Sequence, residues 1–259
     1  MIIDSHTHIG FNEHLHETAT ELVDSMREAK IDKAVVCAGD INDCSTEKLI
    51  ESLKPFNGIL YPVGSVSPLS KSKPSAETVE NWLKGGTIVG LKFYPAYEPF
   101  YPNGEEIRPY LEILEKYKKP AIFHSGDTFN LKSGAKIKYA HPLHIDDIAV
   151  DFPNIPIVIA HLGYPWIIDA AEIAYKNKNV FADCSGMAYG KFDEKDKNLI
   201  KKMMSLFIEY SGDSSKIMFG TDWPISDQSD YVEIFKDFNF SNSPKDFFGA
   251  TAEKIFGLI

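Results

Sequence analysis

Eight short runs rich in isoleucine, valine and phenylalanine recur along the whole chain. Consecutive runs begin 24 to 37 residues apart, which is about the length of one β-strand followed by one α-helix. The runs are almost continuously hydrophobic, which is typical of parallel strands buried on both faces. They begin near Ile2, Lys33, Ile59, Ile88, Pro120, Pro156, Val180 and Ile217.

Between the runs, apolar residues recur with the period of an α-helix. Leu22, Val23 and Met26 share one helical face and follow a capping box made by Thr18 and Glu21. Equivalent stripes stand at Ile107, Tyr110, Leu111 and Leu114, and at Ile200, Met203, Met204 and Phe207. We expect each stripe to pack against the strands.

This alternation predicts an α/β fold, a (β/α)8 TIM barrel, formed by a single domain over residues 1–259. A doubly wound open sheet is the alternative. No GxGxxG motif follows the first run and the chain has no Walker loop, which disfavours that sheet. Residues 244–259 predict a closing helix with four inward side chains, namely Phe247, Phe248, Ile255 and Phe256.

The composition narrows the range of partners and compartments. With 37 acidic and 27 basic residues the net charge is −10, which argues against nucleic-acid binding. The apolar runs are much shorter than the roughly 20 residues of a membrane span. No signal-peptide pattern opens the sequence, and the three cysteines form no CxxC pair. We therefore expect a cytoplasmic protein without nucleic-acid or membrane partners.

Residues that can bind a metal stand at the ends of four runs. In barrel enzymes, the chemistry takes place at the carboxyl ends of the strands. His6 and His8, two apart on the first run, project to one side. His124 and His161 end the fifth and sixth runs, and Asp222 ends the eighth. Imidazoles and a carboxylate that converge there predict a divalent metal, with Zn²⁺ expected and Mn²⁺ or Fe²⁺ as alternatives.

Motifs around these residues resemble the amidohydrolase superfamily, and specifically the amidohydrolase-related branch that also contains metal-dependent decarboxylases. They occur in order and span nearly the whole chain. The clearest are Ile3-Asp4-Ser5-His6-Thr7-His8, Gly90-Leu91-Lys92-Phe93-Tyr94-Pro95, Phe123-His124-Ser125-Gly126, Ile159-Ala160-His161-Leu162-Gly163 and Phe219-Gly220-Thr221-Asp222-Trp223-Pro224.

The resemblance implies a role for each of the metal-binding candidates. His6, His8, His124 and Asp222 would hold the metal. Asp222 would also take a proton from the metal-activated water and pass it to the leaving group. His161 would stand beside the metal as a second catalytic residue, either polarising the substrate or hydrogen-bonding the bound water.

Lys92, at the end of the fourth run, admits three interpretations. In binuclear relatives, a lysine at this place is carboxylated and bridges two metals. In the branch that this chain resembles, the site is usually mononuclear and an unmodified lysine can contact the substrate. The third interpretation is a structural ion pair.

The function expected from this resemblance is a metal-dependent hydrolase that acts on a small amide, lactone or cyclic imide. The alternative enzyme is a non-oxidative decarboxylase or hydratase of a small carboxylate. Only two arginines, Arg27 and Arg108, could clamp a carboxylate, which favours hydrolysis. A non-catalytic metal-binding barrel is a third hypothesis. We expect a small-molecule substrate and allow for a homodimer.

Overall fold

The computed structural model describes residues 1–13, 15–39, 43–128 and 134–258. Eight parallel strands pair in chain order, so that each strand lies beside the next one in the sequence. They are β1 (Ile3–Thr7), β2 (Lys33–Cys37), β3 (Leu60–Ser65), β4 (Leu91–Phe93), β5 (Ala121–Phe123), β6 (Ile157–Ile159), β7 (Val180–Asp183) and β8 (Ile217–Met218).

Helices connect the strands and surround them. They are α1 (Ala19–Ala29), α2 (Thr46–Leu53), α3 (Ala76–Lys84), α4 (Arg108–Tyr117), α5 (Leu143–Asp151), α6 (Ile167–Lys176), α7 (Glu194–Ser211), α8 (Gln228–Lys236) and α9 (Thr251–Phe256). The predicted single-domain (β/α)8 barrel is therefore confirmed. Within the described ranges, no helix combines the length and the apolar character that crossing a bilayer requires.

Backbone hydrogen bonds close the barrel between β1 and the segment that follows β8. The N–H of Ser5 donates to the carbonyl of Phe219 over 2.9 Å, and the N–H of Asp222 donates to the carbonyl of His6 over 2.8 Å. A third bond, 2.7 Å long, runs from the N–H of His8 to the carbonyl of Trp223. This seam places His6, His8 and Asp222 next to one another although they are far apart in the chain.

The local signals read from the sequence match the elements closely. The eight strands begin within three residues of the predicted starts. The capping box of Thr18 and Glu21 opens α1, and the apolar stripe of α1 is buried. These agreements come from patterns that lie within a few residues of each other.

The closing segment differs from a single helix. A short π-helical stretch, Asp246–Ala250, precedes α9. Phe247 is buried in the layer between strands and helices, whereas Ile255 and Phe256 pack into the barrel interior. The carbonyl of Phe256 accepts a hydrogen bond from Lys119, which lies just before β5, so α9 covers the amino-terminal end of the barrel. The candidate site lies at the opposite end of the barrel, where the strands have their carboxyl ends.

The fully buried Asp4 side chain accepts four hydrogen bonds, two of which come from Thr221 after β8 and tie β1 to that segment. Its carboxylate accepts from the Thr221 hydroxyl (2.6 Å), the Thr221 N–H (3.0 Å), Gln228 Nε2 (2.9 Å) and the His6 N–H (3.3 Å). Burial raises the pKa of Asp4 to about 7, although these donors oppose the rise. The seam therefore depends on one buried acceptor group.

We predict that Asp4→Ala destabilises the fold by about 3 kcal/mol or more, because several buried donors lose their acceptor. Urea unfolding followed by circular dichroism measures the effect. Asp24→Ala is the control, since Asp24 forms an exposed ion pair with Arg27 on α1, so its loss should cost less than about 0.5 kcal/mol. Equal unfolding midpoints for the two variants would contradict this account of the seam.

Candidate metal centre

Three of the predicted ligands meet at the carboxyl end of the barrel. Oδ1 of Asp222 lies 3.1 Å from Nε2 of His8 and 3.6 Å from Nε2 of His6, and all three residues are buried. Among the described residues, these three donor atoms lie within 4.8 Å of one another, as metal ligands do. His6 belongs to β1, whereas His8 follows it. The register between β1 and β2 is irregular between Asp4 and Thr7, yet the ligand atoms of His6 and His8 come together as the sequence predicts.

The partners of both imidazoles determine which ring nitrogen carries the hydrogen. Nδ1 of His8 lies 3.1 Å from the carbonyl oxygen of Cys37, and Nδ1 of His6 lies 2.9 Å from Oδ2 of Asp183. Carbonyl and carboxylate oxygens only accept hydrogen bonds, so each Nδ1 must be the donor. In the neutral ring, Nε2 is then a bare acceptor, which is the form that binds a metal.

When the His8 ring is neutral, two acceptors therefore face each other without a hydrogen between them. Oδ1 of Asp222 is buried and has no aligned hydrogen bond, although Nε2 of His8 is only 3.1 Å away. Two ligand atoms bound to one tetrahedral zinc ion at 2.0–2.1 Å stand roughly 3.3 Å apart. The spacing and the donor types thus fit a divalent cation between His8 and Asp222.

His124 and His161 lie beside this group. Their rings are 5.1 Å apart, and the ring of His161 is 5.0 Å from that of His6. Nε2 of His124 is buried and has no hydrogen-bond partner among the described residues, which fits a metal ligand. His124 nevertheless lies outside the group of closely spaced donor atoms that His6, His8 and Asp222 form in the described residues. Its role as the fourth ligand stays a prediction.

Lys92 is completely buried beneath the histidines. Its Nζ lies 3.1 Å from Nε2 of His6 and 5.4 Å from the centre of the Tyr94 ring. Burial lowers the pKa of Lys92. A lysine that readily becomes neutral fits carboxylation as well as an unmodified amine, so this geometry keeps both functional interpretations open. Its nearest polar partner is an imidazole, which disfavours the structural ion pair.

The charge state of the site follows from its burial. Burial, followed by the positive charge of Lys92, lowers the pKa of His6 to about 4. Burial alone would raise the pKa of Asp222, but the surrounding imidazoles, above all that of His8, hold it well below its usual range. The site therefore presents a neutral imidazole and an ionised carboxylate, as metal ligation requires.

Sequence reasoning missed Asp183 and Ser185, which stand at the end of β7. Oδ2 of Asp183 pairs with His6, while Oδ1 accepts hydrogen bonds from the backbone N–H of His161 (3.0 Å) and of Ser185 (3.1 Å). Asp183 thereby orients the first histidine in the way that outer carboxylates orient metal ligands. A carboxylate at a strand end was the available signal, since the same rule identified Asp222.

Two residues of this site have strained backbone conformations. His161 and Asp222 have positive φ values of 60° and 67°, in the left-handed region that non-glycine residues rarely adopt. Gly186, at φ 63°, lies between them. A Cβ atom there would stand 2.7 Å from Oδ2 of Asp222 and 2.8 Å from Nδ1 of His161, so only glycine fits. The strain and the close approach hold both side chains in place.

Comparisons with known proteins agree with this geometry. The amidohydrolase family model matches residues 3–258, so the chain belongs to the amidohydrolase family. Enzymes of this superfamily bind a divalent metal, which the His–Asp groups described above could hold. Among curated proteins, none matches the chain.

Solved structures with the same fold include both hydrolases and decarboxylases. An uncharacterised TIM-barrel protein from Bordetella bronchiseptica has a TM-score of 0.75 and 17% identity, covering 99% of this chain and 98% of its own. A probable 2-pyrone-4,6-dicarboxylic acid hydrolase from Acinetobacter baumannii, with citric acid bound, scores 0.73 at 15% identity, with 99% of both chains covered.

A variant of 5-carboxyvanillate decarboxylase from Novosphingobium aromaticivorans, with bound manganese and 3-methoxy-4-hydroxy-5-nitrobenzoic acid, scores 0.71 at 14% identity. The match covers 100% of this chain and 97% of that one. Identities this low establish the shared fold alone, and the reaction is left between hydrolysis and decarboxylation.

We predict that Asp183→Asn weakens Zn²⁺ binding by about 10–100-fold. An amide nitrogen in place of Oδ2 would donate to Nδ1 of His6 and move the imidazole hydrogen to Nε2, which then cannot bind the ion. Competition with a chromophoric chelator at pH 7 measures the affinity. Asp24→Asn, on the exposed face of α1, should leave it unchanged. Parental affinity in the Asp183 variant would disprove the orienting role.

Proposed function

We propose that this protein is a metal-dependent hydrolase that opens a small amide, lactone or cyclic imide. The observation that carries the proposal is the buried contact between two acceptors, Nε2 of His8 and Oδ1 of Asp222, at the carboxyl end of the barrel. A divalent cation between them would satisfy both atoms, and their place in the fold is where barrel enzymes perform their chemistry.

His6, His8, His124 and Asp222 are the proposed ligands. Neutral imidazoles with one carboxylate suit Zn²⁺, while the manganese bound to the decarboxylase variant supports Mn²⁺ as the alternative. A divalent ion of this kind supplies Lewis acidity and lowers the pKa of a bound water towards about 7. The buried surroundings keep competing solvent away from these residues.

Asp222 is the proposed proton carrier. Its carboxylate is ionised. Its Oδ1 has no aligned hydrogen bond among the described residues, so this oxygen is the acceptor available to a proton that a nucleophilic water loses. The same group would then deliver this proton to the leaving nitrogen or oxygen. The absence of a Cβ atom at Gly186 leaves room for this carboxylate. His161 stands next to it as the second catalytic side chain.

Decarboxylation of a small carboxylate is the second candidate, supported by the fold shared with 5-carboxyvanillate decarboxylase. The arginines favour hydrolysis. Arg27 is exposed and pairs with Asp24 on α1, and Arg108 is directed to Glu112 and Asp151 on helix surfaces. Neither guanidinium is available as the bidentate clamp that best holds a substrate carboxylate.

We propose a small-molecule substrate and a cytoplasmic location. The three cysteines, Cys37, Cys44 and Cys184, are buried free thiols, which supports a reducing compartment. A homodimer stays a prediction that size-exclusion chromatography with light scattering can test.

Asp222→Asn is the variant that tests the proton transfer. The amide oxygen can still coordinate, but the basic carboxylate is lost, so we expect Zn²⁺ to be retained and kcat to fall by about 10²–10⁴-fold. The assay screens small lactones, amides, cyclic imides and aromatic carboxylates with the Zn²⁺-loaded enzyme. Asp24→Asn is the control and should keep the parental rate.

Two outcomes would count against the proposal. Near-parental turnover by Asp222→Asn would remove Asp222 from the mechanism. Release of carbon dioxide from a carboxylate, without hydrolysis of any ester or amide, would establish the second candidate instead.

Lys92→Met tests the number of metals. We expect one equivalent of Zn²⁺ in both the parent and the variant, because an unmodified Lys92 contributes no ligand to a single ion. Elemental analysis of the dialysed proteins provides the measurement. Two equivalents in the parent and one in the variant, together with the mass of a carbamate, would show that Lys92 bridges two metals.

A further inference from the structure

We infer that Ser185 is a positioning residue that holds His161 with its hydrogen on Nδ1, so that Nε2 is the nitrogen that serves the reaction. The proposed role in catalysis rests on the hydrolase function above. The position of the hydrogen rests on the geometry alone.

The Ser185 hydroxyl lies between two histidines and a carboxylate. Its Oγ is 2.9 Å from Nδ1 of His161 and 3.0 Å from Nδ1 of His6, and it forms a very short hydrogen bond to Oδ1 of Asp183. The carbonyl oxygen of Ser185 lies a further 3.1 Å from Nδ1 of His161. Ser185 is fully buried, so water does not compete for these contacts.

Counting donors and acceptors fixes the hydrogen of His161. A carboxylate accepts only, so the single hydrogen of the Ser185 hydroxyl points to Asp183. The hydroxyl then offers only its lone pairs to His161, and the carbonyl of Ser185 is an acceptor as well. Both atoms that face Nδ1 of His161 are acceptors. Nδ1 must therefore be the donor, because a bare nitrogen there would face two oxygen lone pairs.

The backbone reinforces the arrangement. Oδ1 of Asp183, which receives the Ser185 hydroxyl, also accepts the backbone N–H of both His161 and Ser185. The left-handed backbone of His161 is held by one of these bonds. Ring orientation and hydrogen position are thus set by the same two residues, Asp183 and Ser185.

The consequence for the reaction concerns Nε2 of His161, on the far side of the ring from Ser185. His161 is half-buried, whereas the other three histidines of the site are buried. In a neutral ring with its hydrogen on Nδ1, Nε2 accepts a hydrogen bond or a proton and cannot donate one. Of the two roles expected from the sequence, holding a water fits this state, and donating to a substrate carbonyl does not.

The test is a ¹⁵N NMR experiment on the Zn²⁺-loaded protein with labelled histidine, at pH 7.5. Two-bond and three-bond couplings to the ring carbons' hydrogens distinguish the Nδ1–H from the Nε2–H form. Loss of one set of signals in His161→Asn assigns the ring. We expect the Nδ1–H form for His161. An Nε2–H form, or a ring protonated at both nitrogens, would overturn the inference without any reference to turnover.

Ser185→Ala then tests the hydroxyl. Removing one of two acceptors should shift the ratio of the two forms towards Nε2–H by roughly fivefold. Ser5→Ala is the matched control, because Ser5 is also buried beside His6, but its hydroxyl has no hydrogen-bond partner in the described part of the chain. The control should leave the ratio unchanged. An unchanged ratio in Ser185→Ala would refute the positioning role, and the parental spectrum remains decisive if that variant does not fold.

Discussion

The contact between the imidazole of His8 and the carboxylate of Asp222 is the constraint around which the site is built. With a neutral His8, two lone pairs face each other in a buried place, and a cation between them would remove this unfavourable contact. The backbone seam between β1 and the end of β8 brings these two side chains together. The carbonyl of Cys37 fixes the orientation of the His8 ring. Burial keeps His6 neutral, whereas the surrounding imidazoles keep Asp222 ionised despite its burial.

The sequence predicts much of this arrangement because much of it is local. The eight strands follow from hydrophobic runs, and His6, His8 and Asp222 follow from the rule that barrel chemistry lies at strand ends. No local pattern in the sequence predicts the irregular register of β1. The contact between Asp183 and His6 joins residues 177 positions apart, so it becomes visible only when the barrel closes.

One site can serve either hydrolysis or decarboxylation, because the two reactions have the same main requirements. Each reaction needs a divalent ion with neutral nitrogen ligands, and each needs a carboxylate that moves one proton. What separates them is how the substrate is held, and the fold alone does not decide that. Arg27 and Arg108 pair with acidic side chains on helix surfaces, so neither is placed to hold a substrate carboxylate. Lys92 is buried beneath the histidines.

The seam also has a consequence for the time at which the site comes into being during synthesis. The ribosome makes residues 6 and 8 first, and more than two hundred residues follow before Asp222 appears. Until that segment has docked on β1, the early histidines belong to an unfinished sheet with an exposed edge. A nascent chain therefore lacks one of the proposed ligands, so the metal site that we propose can be complete only after the barrel has closed.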